Sequence, residues 1–290
     1  MELELKRGGR TARVETLGGE LVSYRDERGL EYIWGGDPAY WPGRNPLLFP
    51  IVGMLKEGKI RFDGREYAME RHGFARRREF TPAARGEDWV RLELRESAET
   101  LALYPYPFRL AVEQRLTDTG FSTAVTVANP GEGPLPFCLG AHTGFRCPLE
   151  AGERFEDYEL VFPERESCPT LLLRDGLLDR PAALPCLEDT DTLPLDYRWF
   201  DALDTLIFEG LRSRSVTLRS RKSGRGVRVS FDGFPMLAFW TMPGKKAPYL
   251  CIEPWHGCAA GTAEGPEFTD KAHCIVLAPG ESRTLAYRAD

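Results

Sequence analysis

An all-β fold, a large antiparallel β-sandwich with few short helices, is predicted by three features of this 290-residue sequence. Short runs of alternating or β-branched residues recur along it, Gly- and Asp-rich turns separate them, and no stretch carries the 3.6-residue apolar period of an ordinary amphipathic helix. The runs are LVSYRD (21–26), GKIRFDGREYAM (58–69), WVRLELRE (89–96), FRLAVEQRL (108–116) and FSTAVTVAN (121–129). DTLIFEG (204–210), SVTLRS (215–220) and GVRVSFDG (226–233) continue the series. Asp63-Gly64 is a hairpin signal inside the second run, and Ser223-Gly224-Arg225-Gly226 marks another between the last two. With 22 prolines and 29 glycines there is little room for long helices.

Strands do not alternate with helices, which argues against a parallel α/β sheet. No heptad, internal repeat or linker composition appears, so one domain is expected over residues 1–290. The stretch Glu164–Arg198, rich in Pro, Asp and Leu, is expected to be a long excursion between strands, and excursions of that length are often functional.

Apolar residues make up 42% and charged residues 28%, an ordinary globular balance that permits a substantial core. The net charge of -6 carries no basic footprint for nucleic acid or an anionic membrane surface. The opening MELELKRGGR lacks an apolar secretory segment, and no apolar run nears the ~20 residues of a membrane-spanning helix. All seven cysteines fall between Cys138 and Cys274, an odd and scattered set unlike a disulfide framework. A cytoplasmic protein with reduced thiols is expected, a monomer or weak homodimer.

Three motifs fail on chemistry. Gly53-Met-Leu-Lys-Glu-Gly58-Lys59 fits the first seven positions of a phosphate-binding loop, but Ile60 stands where a Ser or Thr must reach the metal. A hairpin rather than a helix should follow, so the phosphate cradle has no helix N-terminus behind it. Cys251, His256 and Cys258 fit no common zinc spacing, and a buried thiol acting as a small hydrophobe accounts for them better. No GxSxG elbow supports a serine hydrolase.

Of the four histidines, two sit in unusual company. His72 lies in ERHGFARR, and an apolar strand, Pro136-Phe-Cys-Leu-Gly-Ala, runs directly into His142. Glu253, in APYLCIEPWHG, ends another apolar strand, where a carboxylate must be paired, hydrogen-bonded or open to a cleft. From the residues alone each of the three also fits a structural role, and His256 and His273 have only that reading.

The segments WGGDPAYWPGRNPLLFPIVG (from residue 34), GREYAMERHGFARRREF, YPYPFRL, VANP, GAHTGFRCPL, DTLIFEG, APYLCIEPWHG and LAPGES follow in this order between about Tyr24 and Leu285. As a set they resemble the aldose 1-epimerase (galactose mutarotase-like) family, and within it the LacX-like branch. The resemblance implies the supersandwich of that family, with a sugar in a concave cleft. It implies interconversion of α and β anomers, with Glu253 as general base, His142 as acid to the ring oxygen and His72 as a second donor. Asp204 would contact sugar hydroxyls. Around them Trp255 and Phe74 are candidates to stack on the sugar, and Arg44, Asn45 and Arg76 are candidates for hydroxyl contacts, while Trp34 and Trp41 are expected in the core. Two positions depart from the family pattern: Met54 where an arginine is usual, and His256 where an aromatic is usual.

These residue types suit the reaction. Exchanging anomers opens a hemiacetal ring: a base takes the C1 hydroxyl proton and an acid delivers one to the ring oxygen, so neither metal nor redox cofactor is needed. Glu at its ordinary pKa of ~4.3 is ionised at neutral pH, and His at ~6.5 gains or loses a proton readily. Three other readings compete. A hexose-6-phosphate epimerase needs a basic clamp, for which Arg44, Arg76, Arg77 and Arg78 are available, although no dedicated cluster is evident. A sugar-binding protein without activity would not need His72, His142 and Glu253 together. A glycoside hydrolase needs two facing carboxylates, and Asp204 with Glu253 would leave both histidines idle. Neutral aldoses are therefore the expected substrates.

Overall fold

The computed structural model describes every residue from Met1 to Asp290, and fifteen of its strands join in one hydrogen-bonded antiparallel ladder. From one edge the ladder runs through Leu47–Leu48, Leu139–Ala141, Tyr249–His256, Met236–Trp240 and Thr205–Glu209 to the long strand Tyr158–Arg174. It continues through Ser215–Ser220, Gly226–Ser230, Ser282–Ala289, Phe121–Ala128, Arg109–Leu116 and Trp89–Arg95 to Thr81–Arg85 at the far edge. Tyr158–Arg174 belongs to both halves: Tyr158–Val161 pair with Ser215–Ser220, and Leu171 pairs with Ile207. The halves bury one shared apolar cluster of 72 residues, with Ile207, Phe239 and Ile252 from one side and Val112, Val125 and Leu218 from the other. This is the large antiparallel sandwich that the strand pattern predicts.

Local pattern decides which faces point inward. Phe121, Thr123, Val125 and Val127 are buried while the residues between them are half-exposed, the period-two reading of a strand with one wet face. Tyr249–Trp255 is buried at every position, which places this strand in the middle of the fold, covered on both sides. The only α-helices, Ala98–Leu101 and Tyr197–Leu203, are short and begin at Ser97 and Asp196, whose side chains accept from main-chain N–H groups of the first turn. No helix is long and apolar enough to cross a membrane.

The hairpins fall where the turn residues place them. Lys59–Phe62 pairs with Arg65–Ala68 around Asp63 and Gly64, both at positive φ. The run Gly53–Lys59 leads into this hairpin, and no helix follows it. One expectation needs correcting. The stretch Glu164–Arg198 is not an irregular excursion, because Tyr158–Arg174 and Leu177–Pro194 form a long hairpin closed at Asp175-Gly176. Pro163, Pro169, Pro181 and Pro185 lack an N–H for the ladder, and the pairing shifts register repeatedly between Val161 and Leu172. Proline content conceals these strands in the sequence.

The HGFAR segment is tied to LFPIVG through the backbone. The N–H groups of Phe74 and Ala75 both donate to the Phe49 carbonyl, and that of His72 donates to the Gly53 carbonyl at 2.9 Å. Gly73 takes φ +69°, and a Cβ there would stand 2.2 Å from the Phe49 oxygen. Only glycine lets the two segments approach this closely. Gly73→Ala should therefore lower unfolding free energy by about 2–4 kcal/mol, read from urea titrations of both proteins.

Candidate active site

The strand Tyr249–His256 supplies Glu253, and the segment joining Leu139–Ala141 to Thr143–Arg146 supplies His142. Both flanking segments pair with that central strand, so main-chain register alone brings imidazole and carboxylate together. His142 Nε2 lies 3.4 Å from Glu253 Oε2, with 10% and 1% of the two side chains exposed. The His142 ring is stacked on Trp41 at 4.8 Å between centroids and meets Trp240 edge-on at 5.6 Å. His72 stands edge-on to His142 at 5.7 Å. The Gly53 N–H donates to His72 Nδ1 at 3.1 Å, so the neutral ring carries its proton on Nε2.

These groups line one cleft of about 580 Å³, with Arg76, Asp204 and Trp255 also on its wall. Asp204 caps the C-terminal end of Tyr197–Leu203 at φ +62° and accepts from the Thr205 hydroxyl at 2.9 Å. Of the seven other residues expected from the sequence, four reach the cleft, Glu253, Asp204, Arg76 and Trp255, whereas three, Phe74, Arg44 and Asn45, do not. Phe74 is buried against Phe49, Tyr104 and Phe108, because the turn at Gly73 directs it inward. Arg44 donates to the Gly35 carbonyl and pairs with Glu15. Asn45 is buried, its Oδ1 accepting from the hydroxyls of Thr143 and Tyr287. Those three hold the scaffold.

Trp34 is buried as expected, but Trp41 is only partly buried and lines the cleft over His142. The sequence reading also missed Arg71, Asp175 and Trp240, which share the wall with Met54. Adjacency to His72 was the one available signal for Arg71, whereas Asp175 arrives only because the long hairpin reaches across. Cys251, His256 and Cys258 do not converge: His256 Nδ1 meets the His273 carbonyl instead, and Cys251 sits beside His142 and Glu253.

Burial governs the electrostatics. It raises the proton affinity of Glu253 well above the ordinary carboxylate range, and the charge of Asp204 adds to the shift. Burial also lowers His142 to about 3, with the guanidinium charges of Arg76 and Arg71 contributing. His72 is lowered for the same main reason, then by His142 and both arginines. The expectation of ordinary pKa values for these groups is thus corrected: desolvation disfavours both charged forms. Seven buried side-chain polar atoms in the whole chain make no hydrogen bond, and four belong to cleft residues: Arg76 Nε, His142 Nδ1, Glu253 Oε2 and Trp255 Nε1. Unspent hydrogen-bonding capacity concentrated on one wall is the mark of a site shaped for a polar ligand.

The family profile described as aldose 1-epimerase matches residues 1–289. The chain belongs to the aldose 1-epimerase family. Among curated relatives, the plasmid-encoded Protein LacX of Lactococcus lactis subsp. lactis is 41% identical, covering 99% of this chain and 98% of its own. The chromosomal LacX of the same organism is 40% identical over the same shares. A galactose mutarotase related enzyme from Lactobacillus acidophilus superposes with a TM-score of 0.95 at 27% identity, covering 100% of this chain and 96% of its own. A galactose mutarotase-like protein from Lactobacillus casei gives 0.93 at 27% identity, covering 100% and 99%. The aldose 1-epimerase family thus accounts for the whole fold and supports a carbohydrate epimerase.

A histidine held neutral in the folded state binds fewer protons than the same residue unfolded, so its contribution is intact above pH ~6.5 and is lost as pH falls below it. For His72 this loss between pH 7 and pH 5 can reach at most about 2 kcal/mol. Glu253 opposes it, since a raised carboxyl binds protons in the fold, but that part is common to both proteins compared. His72→Asn should shrink the pH 7-to-5 decrease in unfolding free energy, by up to about 2 kcal/mol, whatever its cost at pH 7. Denaturant titrations at the two pH values check this.

Proposed function

We propose that this protein is an aldose 1-epimerase that interconverts the α and β anomers of a hexose by acid–base ring opening and reclosure. The observation that carries the reading is the buried His142–Glu253 pair at 3.4 Å, on the wall of a cleft that it shares with His72, Arg76, Asp204 and Trp255. Glu253 takes the C1 hydroxyl proton as the C1–ring-oxygen bond breaks, and His142 protonates the ring oxygen. The aldehyde rotates about its C1–C2 bond, and the same two protons return as the ring closes on the other face. His72 donates through Nε2 to the sugar oxygens and keeps the ring oxygen aimed at His142. Trp255 and Trp41 offer apolar faces, while Asp204 and Arg76 hold hydroxyls.

The shifted proton affinities suit this scheme. The pair carries one proton in either arrangement: protonated carboxyl with neutral imidazole, or carboxylate with imidazolium. The second is the reactive one, and burial makes its carboxylate a stronger base and its imidazolium a stronger acid than either is in water. All the groups come from one chain, and nothing in the scheme calls for a membrane or a second protein, which fits a cytoplasmic enzyme.

One observation favours a second reading. Arg71 and Arg76 both face the cleft, and neither is paired with a carboxylate: an Nη of Arg76 donates to the Arg71 carbonyl and Arg71 lies against Met54. Arg44, Arg77 and Arg78 are instead engaged by Glu15, Glu70 and Glu99. Two free guanidiniums suit a hexose bearing an anionic group such as a 6-phosphate. Under the primary reading kcat/KM is higher for glucose or galactose than for glucose 6-phosphate. The reverse order, abolished by Arg71→Ala, would establish the phosphorylated substrate.

Glu253→Gln keeps the shape of the side chain and a hydrogen bond to a hydroxyl but removes the base. Anomer exchange should fall by about 10²–10⁴-fold in kcat, with sugar affinity nearly unchanged. Single-turnover exchange by saturation-transfer NMR, with affinity measured separately, decides it: retention of most of the rate would make Glu253 a binding residue.

A further inference from the structure

Cys251 has no task in ring opening, yet it stands against the acid–base pair. It lies two residues before Glu253 on the same strand, hence on the same face, and is fully buried. One ligand atom each from His142, Cys251 and Glu253 lies within 4.8 Å of the other two. The His142 Nε2 to Glu253 Oε2 separation of 3.4 Å is already the edge of a zinc tetrahedron, since bonds of about 2.0–2.1 Å at the tetrahedral angle put two such ligands about 3.3 Å apart.

We infer that His142, Cys251 and Glu253 form an inhibitory binding site for a soft divalent cation, zinc fitting best. The donor set is one imidazole nitrogen, one sulfur and one carboxylate oxygen, which selects zinc over magnesium or calcium. Cys251 lies behind the pair and closes the site from the protein side. His142 and Glu253 line the cleft, so the fourth position of the tetrahedron opens to water or a sugar hydroxyl. On binding, the thiol proton and the one proton held by the His142–Glu253 pair both pass to solvent, and thiolate, carboxylate and neutral imidazole complete the site. The closing movement required is a shift of the sulfur by about 1 Å, from the 4.8 Å limit toward the roughly 3.6 Å of a zinc-bound S and O pair. The cation takes the lone pairs of both base and acid, so each half of the reaction stops. The inhibitory sense rests on the epimerase reading; the site itself rests only on the three side chains.

The test compares wild type with Cys251→Ala and Cys251→Ser, all stripped with EDTA and checked for equal melting behaviour without metal. Exchange should survive stripping and survive loss of the thiol, because the acid–base pair is intact. Added zinc should inhibit the wild type reversibly, EDTA restoring the rate. The inhibitory concentration should rise at least about 10-fold in Cys251→Ala, since losing even an outer-shell partner costs about that much. Cobalt should give the near-ultraviolet thiolate-to-metal band in the wild type and none in Cys251→Ala, whether or not any sugar is turned over. Equal zinc inhibition in both proteins, no inhibition of an active wild type, activation by zinc, or cobalt binding without the thiolate band would each overturn the proposal. A cobalt band in a wild type that exchanges no aldose would keep the site and reject the epimerase reading.

Discussion

A carboxylate with 1% of its surface exposed, 3.4 Å from an imidazole, has been removed from water at a cost that apolar packing cannot return. The structure around it makes that burial possible. Tyr249–His256 is covered on both faces, its neighbours on either side are apolar strands, and the large shared core supplies the stabilisation that holds an unfavourable pair in place. Aromatic rings finish the enclosure: Trp41 stacks on His142, Trp240 meets it edge-on, and His72 closes the third side. Little rotational freedom remains to either group, so the geometry of the pair is set before any ligand arrives.

The rest of the cleft wall is brought in by elements distant in sequence, each through a main-chain device. Gly73 allows the HGFAR turn to lie on the Phe49 carbonyl, and this same turn presents His72 with Nδ1 occupied by the Gly53 N–H. The long hairpin Tyr158–Pro194 docks through the Leu178 N–H to the Ala260 carbonyl and the Thr262 N–H to the Leu178 carbonyl. Its Arg180 is engaged by Glu209, which also meets His273. The hairpin is thereby anchored from its base to its tip, and Asp175 and Gly176 form a fixed part of the wall. An element that looks like an insertion in the sequence is a structural side of the cleft.

What could be read from the residues follows from the range of the interactions involved. Period-two alternation and turn chemistry act over a few residues, so the strands at 89–96, 108–116, 121–129 and 215–220 appear almost unaltered. The hairpin at 158–194 was hidden because its prolines break the ladder locally while the strand continues. Among site residues, the placement of His72, His142, Asp204 and Glu253 in one cleft was legible from the ordered set of motifs. Phe74, Arg44 and Asn45 lie within or next to the same motifs but face the other way, and side-chain direction depends on φ/ψ that no motif prints. Trp41, Trp240 and Asp175 were out of reach, because only tertiary pairing brings them there. The proton affinities were also misjudged: a side chain's ordinary pKa says nothing about its depth, and burial dominates here.

Burial would be an odd choice if the reaction had to exchange protons with solvent, since each transfer would cross an apolar wall. Anomer exchange has no such need. On the epimerase reading the proton that Glu253 accepts and the one His142 gives up belong to the same site, and reclosure reverses both transfers, so the cleft ends each turnover with the proton count it began with. A buried pair holding a single shared proton is then sufficient, and a sugar filling the cleft keeps water from changing that count during turnover. Desolvation also pulls the two proton affinities past each other, the carboxyl upward and the imidazole downward, narrowing the gap between each group and the weakly acidic hydroxyl or weakly basic ether oxygen it must serve. The same depth that costs folding stability is what lets two ordinary side chains act on such unreactive partners.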